Sequence, residues 1–132
     1  GAHVGTICDA SFPTTLLTHW GRDRERGRLE VPFLVHRHTQ ATARTVGLLD
    51  RGVLAPGYRA DVNVIDFDRL TARRPEMGYD LPAGGKRLVQ VAEGYIATIA
   101  NGEVTYESGE ATGPLPGRLI RGPQPAPGGA FA

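Results

Sequence analysis

The sequence has very little sulfur chemistry to offer. One cysteine, Cys8, stands in 132 residues. An intramolecular disulfide is therefore excluded, and a reducing, cytoplasmic location is expected. Cys8 has no basic neighbour in the sequence, so it is expected as a small packed residue rather than a nucleophile. Charge of one sign is also missing. Fifteen Lys and Arg against fourteen Asp and Glu leave a net charge of +1, which gives no electrostatic reason to expect nucleic acid or an acidic membrane as partner. No apolar run approaches the roughly 20 residues that span a bilayer. No basic stretch followed by an apolar one opens the chain, so no secretory leader is visible. The chain opens on Gly1 rather than Met and is expected to start within a longer protein. Also missing are a Cys-x-x-Cys pair, a glycine-rich phosphate loop and a Gly-x-Ser-x-Gly elbow.

Glycine and proline are abundant, at 18 and 10 residues, and imply many short elements joined by turns. Residues 1–11 lack helical periodicity and read as a loop leaving a strand. Ser11 and Pro13 suit the start of a short helix, with Leu16, Leu17 and Trp20 on its apolar face and Gly21 as its stop. Residues 22–28 alternate in charge and read as a solvated loop rather than an anion site. A second helix is expected over 29–38, with Val31, Leu34, Val35 and His38 in one stripe. A third is expected over 40–46, capped by Thr39 and ended by Gly47.

Beyond Gly52 the period changes. Residues 60–67 alternate as a strand, 69–85 read as a long polar loop, and strands are expected over 87–92, 95–100 and 103–107. Asn101-Gly102 between the last two fits a type I′ hairpin, whose two central residues both need positive φ. Ser108-Gly109 is a further turn, and Leu119-Ile120 a short closing strand. The tail, 122–132, is rich in Gly, Pro and Ala and is expected to be disordered. The order of loop, helices and then strands gives an α+β class.

The stretch GLLDRGVLAPGYRADVNVID, from Gly47 to Asp66, resembles the C-terminal signature of metal-dependent amidohydrolases. Gly52, Leu54, Gly57, Ala60, Asp61, Val62 and Val64 carry the match, and the Asn101-Gly102 hairpin resembles the family's closing element. The preceding residues, GTICDASFPTTLLTHWGRDRERGRLEVPFLVHRHTQATARTVGL, are similar to the D-aminoacylase (N-acyl-D-amino-acid deacylase) branch.

The resemblance implies an α+β fragment. Residues 1–50 would be the terminal loop and helices of a TIM-like barrel, and 51–121 antiparallel strands of a small composite β-sandwich. It implies one or two Zn²⁺ in the whole enzyme, held by residues outside this chain. An Asp general base would lie immediately before Gly1, and the small-molecule substrate would be an N-acyl amino acid or related amide. Members of the branch that hold a substrate carboxylate with Arg in the first loop differ from this chain, which has neither Arg nor Lys in residues 1–13.

On this reading the chain carries no catalytic residue and no metal ligand. His3 and, more weakly, Asp9 are the residues expected to line substrate; the alternative for each is an ordinary exposed loop side chain. His36-Arg37-His38 mimics the His-x-His metal motif but lies too late in the sequence. On a helix its two imidazoles point about 200° apart, so one is expected packed and the other exposed. His19 and Trp20 are expected to pack against the barrel. A family sandwich draws strands from both chain ends, so open strand edges are expected here, with a strand-paired dimer or other homo-oligomer as the outcome. A second reading stays open: a stand-alone β-rich binding or assembly module derived from the same fold.

Overall fold

The computed structural model describes residues 5–128 and shows an α+β chain. Helix α1, Phe12–Thr15, runs without a break into a π-helical segment, Leu16–Asp23. The wider winding shows at its end, where the Arg24 N–H donates to the His19 carbonyl five residues back at 3.1 Å. Gly21 does not stop this helix, which continues to Asp23. Ser11 precedes it but caps nothing with its side chain. Its hydroxyl donates instead to Gln90 Oε1 on the sheet side.

Helix α2 spans Val31–His38 and α3 spans Gln40–Thr45. Of the expected stripe on α2, Leu34 is buried at 2% exposure and Val35 faces outward. Thr39 gives α3 no side-chain cap, because its hydroxyl donates back to the Val35 carbonyl at 2.8 Å.

Eight strands follow among the described residues: β1 Val62–Ile65, β2 Thr71–Ala72, β3 Glu76–Leu81, β4 Gly85–Val89, β5 Ala92–Glu93, β6 Tyr95–Ala100, β7 Glu103–Glu107 and β8 Glu110–Ala111. They form one four-stranded antiparallel sheet, ordered β1-β6-β7-β8, and two small pairs, β2-β5 and β3-β4. The turn residues behave as the sequence requires. Asn101 and Gly102 have φ of 51° and 84°, and Ser108 and Gly109 have φ of 50° and 89°.

Two strand expectations need correction. The long loop expected over 69–85 contains β2 and β3, and β3 folds onto β4 as a hairpin. No closing strand forms at Leu119-Ile120, which lie outside every strand and are exposed. Pro114 and Pro116 just before them lack the N–H groups a ladder needs.

Residues 122–128 follow a path set by the helical segment. The Gln124 N–H donates to the Gly47 carbonyl at 2.9 Å, and the Leu49 N–H donates to the Gln124 carbonyl at 3.0 Å.

The apolar core is slight. Leu34 and Leu70 are the buried large apolar side chains among the described residues. Each contributes about 1.5–3 kcal/mol by burial. The accessible surface is 9807 Å² for a 14.1 kDa chain. A compact monomer of that mass exposes about 6,700 Å². The excess is roughly 3,000 Å², of which the eight remaining terminal residues account for about a third at most.

Candidate functional site

The loop expected to face substrate enters the helix through backbone bonding: the Phe12 N–H donates to the Asp9 carbonyl at 3.0 Å. Asp9 is exposed and Cys8 half-buried. His3 lies outside the described residues.

Two polar links join the following helix to the sheets. Thr14, buried at the start of the helix, shares a 2.8 Å hydrogen bond with the Tyr95 hydroxyl of β6. Ser11 donates to Gln90, whose Nε2 donates to the Arg73 carbonyl at 2.7 Å. The helix that carries the loop is therefore fixed to the strands by hydroxyls rather than by apolar packing. Arg22 makes a third link. Its guanidinium donates to the carbonyls of Phe67, Asp68 and Leu70, the last at 2.8 Å, and lies 5.6 Å from the Phe67 ring centroid. Alternating charge at 22–28 pointed to solvent, and for Arg22 that reading was incomplete.

The stretch that carried the resemblance forms an ion-pair network. Asp50 accepts two hydrogen bonds from Arg51, at 2.9 and 3.1 Å, and one from Arg59 at 3.3 Å. Arg59 reaches on to Asn101 Oδ1 at 2.7 Å. Asp61 accepts the Asn101 N–H at 2.8 Å and faces Arg51 at 3.5 Å. The Gly102 N–H donates to the Ala60 carbonyl at 2.9 Å. The Asn101-Gly102 turn is thus clamped by the segment 40 residues before it. The Arg51 guanidinium, and secondarily Arg59, hold the Asp50 carboxyl below the usual carboxylate range despite its partial burial.

Sequence reasoning singled out Asp61 and passed over Asp50, Arg51 and Arg59. Their signal was the paired spacing of Asp-Arg and Arg-x-Asp on either side of Gly52 and Gly57. Gly52 is itself required, because at φ 78° a Cβ there would lie 2.9 Å from the Gln40 backbone.

Between the helices and β1 lies a cleft of about 340 Å³. Leu16, Leu17, Val35, Val53 and Leu54 line it, with His38 and Asp61 among its polar groups. His38 packs edge-on against Phe12 with ring centroids 5.2 Å apart, while His36 is exposed. The His-x-His pair is helical and its rings diverge, as the spacing predicts. His19 and Trp20 contact each other and remain exposed, and Arg24 stacks 4.4 Å over Trp20.

Among the described residues no three His, Cys, Asp or Glu side chains converge as metal ligands. Cys8 and the two α2 histidines sit on separate segments, so the donor set here does not fit a zinc centre. None of the described helices is long and apolar enough to cross a membrane.

A family model for amidohydrolases matches residues 2–106, which takes in the first loop, the three helices, the ion-pair segment and the hairpin it clamps. The chain belongs to the amidohydrolase family. In this amidohydrolase chain the matched region ends within β7, at the strand that follows the clamped turn. The family signature therefore has a physical content: it holds the helix pair, β1 and the β6-β7 hairpin in one arrangement. No solved structure matches the chain.

Proposed function

We propose that this chain is the C-terminal portion of a zinc-dependent hydrolase of amide C–N bonds, of the D-aminoacylase branch. Its helices would complete the end of a TIM-like barrel, and its strands would contribute to a composite β-sandwich. The observation that carries this reading is the family match across residues 2–106. The run Gly5–Val46, with its small-residue loop, Phe-Pro helix start and helix pair, supports the branch. The large exposed surface and slight core suit a piece that packs against more protein.

The zinc ligands and the general base belong to the preceding polypeptide, and the chain alone is inactive. The loop before Ser11 shapes the substrate site, with His3 and Asp9 as its polar side chains. Ser11, Thr14 and Arg22 fix the helix that bears the loop. The substrate is an N-acyl amino acid or related amide, and the absence of Arg and Lys from residues 1–13 leaves any substrate carboxylate to be held by residues elsewhere. A cytoplasmic location accords with the single thiol.

The coding sequence preceding Gly1 tests this. It is expected to encode a barrel with His-x-His on its first strand and Ser-Asp-Gly just before Gly1. The full protein is expected to release amino acid from N-acyl-D-amino acids when loaded with zinc. A reading frame that starts at Gly1, or a full protein that leaves every N-acyl amino acid intact, contradicts the proposal.

A further inference from the structure

The four-stranded sheet has two unlike edges. At one end, β8 is two residues long and carries Glu110. A short, charged strand resists further pairing. At the other end, β1 pairs with β6 on one side only. Its four residues, Val62-Asn63-Val64-Ile65, are uncharged and rich in β-branched side chains. Asn63 and Val64 are exposed, and the flanking carboxylates are occupied: Asp61 by Arg51 and the Asn101 N–H, Asp66 by the Arg69 N–H. The apolar cleft of about 340 Å³ runs beside this strand, and Leu54 on its wall is 88% exposed. An unpaired edge next to an apolar cleft is the arrangement that accepts an added strand, whose backbone bonds to the edge while its side chains fill the cleft.

We propose that β1 pairs with β1 of a second copy of this chain, antiparallel about a two-fold axis, making one continuous eight-stranded sheet. Centred on Asn63, the pairing sets Val62 opposite Val64, Asp61 opposite Ile65 and Asp66 opposite Ala60. No two carboxylates then face each other, and Asn63 faces its own copy. The area suffices. A stable dimer buries about 1,200–2,000 Å² in total, and each chain exposes roughly 3,000 Å² more than a compact monomer of its mass. The net charge of +1 offers little repulsion between copies.

Sedimentation equilibrium of the 132-residue chain, with amide hydrogen exchange at low and high concentration, tests the pairing. The expected result is a monomer–dimer equilibrium in which amides of Val62–Ile65 gain protection as concentration rises, while those of Glu110-Ala111 do not. Asn63→Lys, which sets two like charges opposite each other, is expected to weaken dimerisation about tenfold or more. Ala111→Lys on the far edge is expected to leave it unchanged. Circular dichroism checks that the variants fold; if Asn63→Lys does not, the exchange pattern of the unaltered chain decides alone. A chain that stays monomeric at its highest soluble concentration overturns the proposal. So does a dimer whose β1 amides exchange at the same rate at all concentrations.

Discussion

Asp50 accepts hydrogen bonds from two guanidinium groups and joins the signature segment to the Asn101-Gly102 turn. Replacing it with Ala removes the shared acceptor and leaves Arg51 and Arg59 facing each other. Asp50→Ala is expected to lower unfolding free energy by roughly 1–2 kcal/mol, the value of hydrogen bonds to a charged group discounted for solvent screening, read from the urea midpoint. The pH dependence follows from the direction of the shift. A carboxyl held low in the folded chain stabilises it above the unfolded value near pH 4, and that contribution disappears as pH falls through the lower folded value. The urea midpoint of the unaltered chain should therefore fall below about pH 4, and Asp50→Ala should flatten that fall. A midpoint equally acid-sensitive in both proteins would count against the clamp.

Gly94 has a different duty. Its φ is 92°, and a Cβ there would lie 2.6 Å from the Cα of Leu70, a fully buried side chain. Gly94→Ala should cost about 2–4 kcal/mol through combined strain and displacement of Leu70, measured by thermal or urea denaturation.

At the level of elements, the first helix is held to the strands by Arg22, Thr14 and Ser11 more than by apolar contact. Arg22→Ala should lower stability by roughly 1–2 kcal/mol through its lost carbonyl contacts, and Arg22→Lys should not restore it. A lysine ammonium cannot spread over three carbonyls in the way a planar guanidinium can. Full rescue by Lys would show that charge alone matters.

Some elements were legible because their residues leave one choice. The β6-β7 hairpin was read to the residue, since Asn101-Gly102 fixes both register and turn. The β3-β4 hairpin was read as loop because β3 has no consistently buried face: Glu76, Met77, Tyr79 and Asp80 are all exposed, and no alternation reaches the sequence. Its turn gave no warning either, for Ala83 takes φ 58° where Gly or Asn is the usual signal. The alternation in β1 is interrupted because a bulge shifts the register between Val64 and Ile65. Around the candidate site, the divergence of His36 and His38 followed from helical spacing, whereas the Asp50 network did not. Charged residues within a turn-rich stretch look solvated until the partner 40 or more residues away is known.

For the whole molecule, the family is established by residues 2–106, and the donor groups among the described residues do not converge on a metal. The account that joins these facts is an amidohydrolase piece whose loop, helices and strands are in place and whose ligands and base lie elsewhere. The most direct test is zinc stoichiometry of the purified 132-residue chain, paired with release of amino acid from N-acyl-D-amino acids in the same zinc-equilibrated sample. The account predicts far less than one zinc per chain after dialysis and no release above the rate without protein. One tightly held zinc per chain accompanied by turnover would contradict it.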